Sequence, residues 1–229
     1  MIKRSKRYKE IKKLSIKEKK IKVGEAIDLV KKTSSAKFDE SVDIALKINL
    51  KQSKGGDFNL RTVMKLPNGN GKKIRIAVLC EQDKLAEAKN SGAEIFGSED
   101  LIEKIASGKF DFDKLICTPA MMGKLGKHGK VLGPKGLMPN PKLGTVTTDI
   151  KKSVADIKSG LIEIKNDKDG NLSSSIGRKS FSNEKIEQNI KFFVDFIKKE
   201  KPTTMKGEII KNISISSTMG ISFKIGNRI

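Results

Sequence analysis

Cysteine, histidine and long apolar runs are scarce in this chain of 229 residues, and each scarcity removes a class of function. The two cysteines, Cys80 and Cys117, sit inside apolar runs with no partner at metal-ligand spacing. They read as reduced core residues of a cytosolic protein, not as a disulfide or a metal pair. No run of 18 apolar residues is present, and no apolar h-region follows the first lysines. The expectation is a soluble protein without a membrane span or signal peptide. The one histidine, His128, has no carboxylate to orient it and no serine or cysteine beside it, so it makes a poor catalytic centre. Phosphate-loop patterns are missing as well. GNGKK has the GK of a Walker A loop but not its spacing or its hydroxyl, and IAVLCEQDKLAEA has no glycine where a dinucleotide fingerprint needs one.

What is abundant is positive charge. Against 27 Asp and Glu stand 48 Lys and Arg, a formal net charge of +21. A charge of that size attracts polyanions more readily than small acidic substrates. Nucleic acid is the leading partner class and an anionic membrane the competing one. With 36% hydrophobic residues the chain has enough apolar material for one large or two modest domains.

The first 22 residues hold eleven Lys and Arg against two Glu. Two readings of this segment stand side by side: an arm lying along phosphates, or a solvated helix with a thin apolar stripe at Tyr8, Ile11 and Leu14. GEAIDLVKK reads as a short amphipathic helix burying Ile27 and Val30. ESVDIALKINL alternates, with Val42, Ile44, Leu46, Ile48 and Leu50 on one side and Ser41, Asp43, Lys47 and Asn49 on the other, which is a half-buried strand with one wet face. A strand-like NLRTVMKL then stops at LPNGNGKK.

From there the pattern changes. Apolar runs IRIAVLC, AEIFG and KLICT alternate with helices DKLAEAKNSG, capped by Asp83 and ended by Gly92, and SEDLIEKIASG, capped by Ser98 and ended by Gly108. That alternation predicts a small parallel α/β sheet covered on both faces. After the helix TDIKKSVADIKSG the wet-faced pattern returns. LIEIK and LSSSI flank NDKDGN, read as a hairpin turn with Asp169 and Gly170 at positive φ. NEKIEQNIKFFVDFIKKEK puts Ile186, Ile190, Phe193, Val194 and Ile197 on one helix face. A last strand pair is interrupted at STMG.

The expected architecture is therefore a mixed α/β (α+β) chain of two domains. Residues 1–66 and 159–229 form a discontinuous domain, and residues 67–158 form an inserted Rossmann-like parallel α/β domain. The insert carries 16 Lys and Arg against 11 Asp and Glu, the discontinuous part 32 against 16, so the latter is the expected polyanion binder. Within the insert no acid occurs from Lys114 to Thr148, a strip that includes KLGKHGKVLGPKGLMPNPKLG. Lys124, Lys127, Lys130, Lys135 and Lys142 make it an exposed, glycine-hinged basic surface able to meet phosphates.

The run LGPKGLMPNPKLGTV resembles the signature of the ribosomal protein L-one family of the large subunit's mobile lateral stalk, and the likeness extends through SKRYK, KFDESVDIAL, LPNGNGK, GNLSSSIG and SSTMG. The family usually has His and Thr at Asn68 and Asn70. The resemblance implies a split β-α-β domain that binds large-subunit rRNA, contact with exit-site tRNA, and repression of the chain's own operon mRNA. It also implies no enzyme activity, no cofactor or metal, no membrane, a monomer when free, and a cytoplasmic, ribosome-associated location. A free-standing mRNA-binding repressor is the alternative. The implied rRNA contacts are Lys37, Phe38, Glu40, Ser41, Lys165, Ser217, Thr218, Met219 and Gly220, with the strip lysines as a secondary RNA or tRNA surface.

Chemically these residue types suit the role. Phe38 beside Lys37 can lie against a ribose or base, or else cap the sheet as a core residue. Ser217 and Thr218 can bond 2′-hydroxyls and phosphates, Met219 offers a soft apolar contact, and Gly220 admits a close backbone approach, unless STMG is a plain turn.

Overall fold

The structure, a computed structural model, describes residues 5–15, 20–49, 60–108, 110–201 and 207–226. Leu50, Asn59 and residues 1–4 and 16–19 of the basic segment lie outside the described residues. The chain divides into two compact units, one of Met1–Gly71 with Ile162–Ile229, the other of Lys72–Leu161.

The first unit is built around β1 (Ser41–Ile48), whose alternation places Val42, Ile44, Leu46 and Ile48 inside. β1 lies between β7 (Asn171–Arg178) and β8 (Ile210–Ser217), and β9 (Ser222–Ile225) completes an antiparallel sheet of order β7-β1-β8-β9. The inward residues share one core with Ala26, Ile27 and Val30 of α2 (Val23–Thr33) and with the apolar face of α8 (Asn183–Lys199). Each fully buried side chain of this size contributes about 1.5–3 kcal/mol. A two-stranded ribbon of β2 (Arg61–Lys65) and β6 (Leu161–Lys165) adds Met64, Ile162 and Ile164 to that core.

The other face of the four-stranded sheet is open. Ala45, in the middle of the central strand, is exposed, and so are Lys47, Ser173, Asn212 and Lys224. In α1 (Lys6–Lys13) only Ile11 is buried; Leu14 of the expected apolar stripe is exposed.

NDKDGN closes a hairpin turn, Asp167 N donating to Asn171 O at 2.9 Å and Gly170 N to Asp167 O at 3.1 Å, but the arms pair no further than its foot. β6 pairs with β2 and β7 with β1, leaving the single bridge Asn166 to Leu172. Gly170 has φ +78°, whereas no described non-glycine residue has positive φ, so Asp169 keeps ordinary backbone geometry. The Asp167 side chain braces the turn, accepting from Asn171 N at 2.6 Å and Asn171 Nδ2 at 2.8 Å.

In the second unit β3 (Ile76–Leu79) lies between β4 (Ile95–Gly97) and β5 (Lys114–Cys117), all parallel. On one face Ala77, Leu79, Leu115 and Cys117 pack with Leu101 and Ile105 of α4 (Glu99–Ala106). On the other, Val78, Cys80 and Ile116 pack with Ala88 of α3 (Leu85–Asn90) and with Ile150, Val154 and Ile157 of α7 (Ile150–Lys158). Asp83 is not a cap: it lies in a 3-10 turn, Gln82–Lys84, and Lys84 precedes α3. Ser98 holds the N-cap position of α4 but makes no cap hydrogen bond. Gly92 and Gly108 follow their helices at φ +79° and +78°, where a side chain would be strained. Cys80 and Cys117 are free thiols on opposite faces of the sheet. Burial, with Cys80 nearby, pushes the Cys117 thiol up to about 12, so it stays protonated and unreactive.

Candidate nucleic-acid interface

At one end of the four-stranded sheet two chain segments meet that are far apart in sequence. α2 ends because Thr33 and Ser34 turn their hydroxyls back onto Val30 O at 3.0 and 2.9 Å. Residues 34–40 then loop into β1, and across from them β8 ends at Ser217 and turns through Thr218–Gly220.

Glu40 joins the two. Its Oε1 accepts Ala36 N at 2.9 Å and its Oε2 accepts Met219 N at 3.1 Å. Burial acts to raise its pKa, but the two N–H bonds, the Ser217 hydroxyl nearby and the Lys179 charge outweigh it, and the carboxyl titrates below its ordinary value. The resemblance groups Glu40 with the RNA contacts; at 0% exposure it lies beneath them and positions both loops.

A second fastening comes from the turn after β7, which no motif reading singled out. Lys179 N donates to Glu40 O at 2.8 Å and Lys179 Nζ to Ser34 O. Ser180 donates from N and Oγ to the Asp39 carboxylate at 3.1 and 2.8 Å, and Arg178 Nη1 donates to Asp39 O at 3.0 Å. The one legible signal was a basic RKS directly after a strand.

Thr218 ties its turn to β1: Ser41 N donates to Thr218 Oγ1 at 3.0 Å, the two hydroxyl oxygens lie 2.8 Å apart, and Thr218 N donates to Ser41 O at 3.2 Å. Ser217 faces inward, buried, with its hydroxyl toward the Glu40 carboxylate. Packing alone accounts for glycine at 220, because a Cβ there would stand 2.3 Å from Ser217 Oγ and 3.3 Å from Thr33 Oγ1.

Above this frame Phe38 is 53% and Met219 48% exposed, with Lys37 and Thr218 also exposed. Phe38 is therefore no core cap. Lys165 is not with them. It ends β6 next to Asn166, which bridges Leu172 opposite Leu46, about 17 Å along β1 from Ser41.

The basic strip is more ordered than a glycine-hinged loop. α5 (Pro119–Gly126), α6 (Gly129–Leu132) and a 3-10 turn (Pro141–Leu143) bury Leu125, Leu132 and Leu143. Its lysines stay outside: Lys127, Lys130 and Lys142 are exposed, Lys124 pairs with Glu99 at 2.6 Å, and Lys135 Nζ stands 3.8 Å from the Phe110 ring centre. His128 precedes α6 and its carbonyl accepts from Val131 and Leu132. Among the described residues no group of three His, Cys, Asp or Glu could hold a metal ion. No described helix is long and apolar enough to cross a membrane. Asn68 is absorbed by the fold, donating from N to Asn189 Oδ1 at 3.2 Å and from Nδ2 to Gln188 Oε1 at 3.0 Å.

Residues 30–221 match the model of the Ribosomal protein L1p/L10e family. The chain is 55% identical over 197 residues, 86% of either chain, to the large ribosomal subunit protein uL1 of Pelagibacter ubique (strain HTCC1062). It is 46% identical over 226 residues, 98% of this chain and 97% of the other, to the large ribosomal subunit protein uL1 of Thermosipho melanesiensis (strain DSM 12029 / CIP 104789 / BI429).

Proposed function

Because the chain belongs to the Ribosomal protein L1p/L10e family, we propose that it is a non-catalytic structural component of the large ribosomal subunit, cytoplasmic and ribosome-associated. It binds large-subunit rRNA through the first unit. The observation that carries this reading is the pair Phe38 and Met219, two large apolar side chains left in solvent on loops that Glu40 fastens from below. Folding gains little from either exposed side chain, while an RNA ribose or base stacked on them would bury both. Lys37 supplies phosphate attraction beside them, and Thr218 a hydroxyl.

The acid-free strip of the second unit serves as a separate basic surface, suited to the backbone of a tRNA at the exit site. An mRNA folded like the rRNA target would compete for the same first-unit surface, which is how the chain would repress its own operon. Free monomer and ribosome-bound protein are then two states of one binding surface.

Co-sedimentation tests the proposal. The full chain should travel with large ribosomal subunits at moderate salt, and Thr218→Val should reduce that fraction markedly. A chain that stays in the supernatant at every salt concentration would sink the ribosomal reading.

A further inference from the structure

Resting on the rRNA-binding reading above, we propose that the whole open face of the β7-β1-β8-β9 sheet, and not its end alone, is an RNA-binding surface that reads ribose 2′-hydroxyls. The register lays this out row by row. Ser41 and Thr218 open the face. Next come Ser175, Asp43, Ser216 and Ser222 side by side. Behind them stand Ser173, Ala45, Ser214 and Lys224, and then Asn171, Lys47 and Asn212.

Three features of that face point to one partner. First, among these positions no aromatic and no large aliphatic residue occurs, so the surface offers neither a stacking platform for unpaired bases nor an apolar patch for a protein. Second, it is lined by short hydroxyl and amide side chains, each both donor and acceptor, at strand spacings of about 4.8 Å. A ribose 2′-hydroxyl is also both donor and acceptor and lies at the surface of an A-form minor groove, which proteins recognise through shape and those hydroxyls. Third, the charge is net positive: Lys47 and Lys224 are exposed on the face and Lys165 stands at its far end, while of the acids Asp43 is engaged by Ser41 Oγ at 3.4 Å and Asp167, at the rim beside Lys47, by Asn171 Nδ2 at 2.8 Å. The face begins at the Ser41 and Thr218 pair and runs about 20 Å to Lys47, which joins the two separated groups of RNA contacts into one track.

The division of labour that follows is specific. Phe38 and Met219 hold an unstacked nucleotide at the sheet end, while the serine rows receive the sugar edge of the adjoining paired region. Ser173, Ser214 and Ser222 lie outward from the core, so replacing them leaves the fold intact.

The test uses the full chain and the shortest large-subunit rRNA fragment it binds, made once with ribose throughout and once with 2′-deoxyribose at the positions it protects. The wild type should bind the deoxy form about tenfold or more weakly. Ser173→Ala combined with Ser214→Ala should lose a similar factor toward the ribose form and little further toward the deoxy form, because the same hydrogen bonds are removed from either side. Ser214→Glu, which sets a charge against the backbone, should lose more, with its far-ultraviolet circular dichroism unchanged. Wild-type-like binding by the double alanine and Ser214→Glu variants would overturn the open-face proposal while leaving the sheet-end site standing. Failure of the unmodified chain to bind any large-subunit rRNA fragment would overturn the ribosomal reading and this proposal with it.

Discussion

Thr218 Oγ1 lies 2.8 Å from Ser41 Oγ and accepts the Ser41 N–H at 3.0 Å, so the turn after β8 is tied to the first residue of the central strand. Because both residues are accessible to water, losing the tie costs little folding energy, about 0.5–1.5 kcal/mol or a few degrees in Tm. Thr218→Val should weaken rRNA binding at least about tenfold, beyond what that small shift explains, while Thr218→Ser, which keeps the hydroxyl, should bind within about threefold of wild type. Titration of labelled rRNA with parallel melting curves checks this. A Tm collapse with proportionate binding loss would make the hydroxyl structural only.

Glu40 behaves differently because it is buried. Glutamine has one acceptor oxygen where the carboxylate uses two, so Glu40→Gln leaves either Ala36 N or Met219 N facing an amide donor. The expected cost is about 1–3 kcal/mol. The pH dependence has a definite sign. The folded pKa lies below the ordinary 4.5, so unfolding takes up a proton between the two values. The stabilisation is complete above 4.5 and is lost as pH falls through the lower folded value. Melting followed from about pH 6 to about pH 3 should show this decline in the wild type and a shallower one in Glu40→Gln.

Gly220 and Ser217 should be energetically coupled. A Cβ at Gly220 would meet Ser217 Oγ at 2.3 Å but Ser217 Cβ at an ordinary 3.5 Å. Gly220→Ala should therefore destabilise by about 1–3 kcal/mol through overpacking. Ser217→Ala removes the Oγ that the added methyl would meet, at the cost of its help in holding Glu40 charged, and should restore part of the loss in the double variant. Additive effects in a denaturant double-mutant cycle would count against the clash.

Phe38→Ala and Met219→Ala should separate binding from folding most cleanly. Both side chains are about half exposed, so Tm should move by no more than about 2 °C. If a base or ribose stacks on them, each truncation should cost about 1–3 kcal/mol of rRNA affinity. Unchanged affinity for both variants would remove the apolar pair from the interface.

Elements whose burial follows from their own period were legible beforehand. β1 and α8 each carry an unbroken stripe, and every described residue of those stripes is buried. The parallel sheet was equally readable from β3, apolar throughout. What sequence could not convey was partnership across distance. LIEIK and LSSSI meet only at the foot of their turn, through the Asn166 and Leu172 bridge, while along their length β6 pairs with β2 and β7 with β1, both far upstream. At that turn Gly170 alone of the DG pair takes positive φ, and Asp167 rather than Asp169 braces it through its side chain. Glu40 was visible as a residue of interest, but its burial depends on N–H groups of residues 36 and 219, which no local pattern connects. Asp39, Lys179 and Ser180 went unnoticed because a short polar run after a strand is common. The basic strip was readable in charge but not in structure, since glycines spaced among Leu125, Leu132 and Leu143 hid two helical turns.

The position of β1 between β7 and β8 has a consequence in time. The chain emerges from its own synthesis with β1 complete long before either neighbour exists. Thr218, the partner of Ser41, comes 177 residues later. At about 5–20 residues per second that delay is on the order of 9–35 s. Until β7 appears a strand with one apolar side has both hydrogen-bonding edges unpaired, and until β8 follows one edge stays open, while the second unit, whose strands and helices are contiguous, can already close. The nascent chain thus carries a folded middle and a waiting beginning, and the central strand is the part that a holding chaperone would have reason to cover.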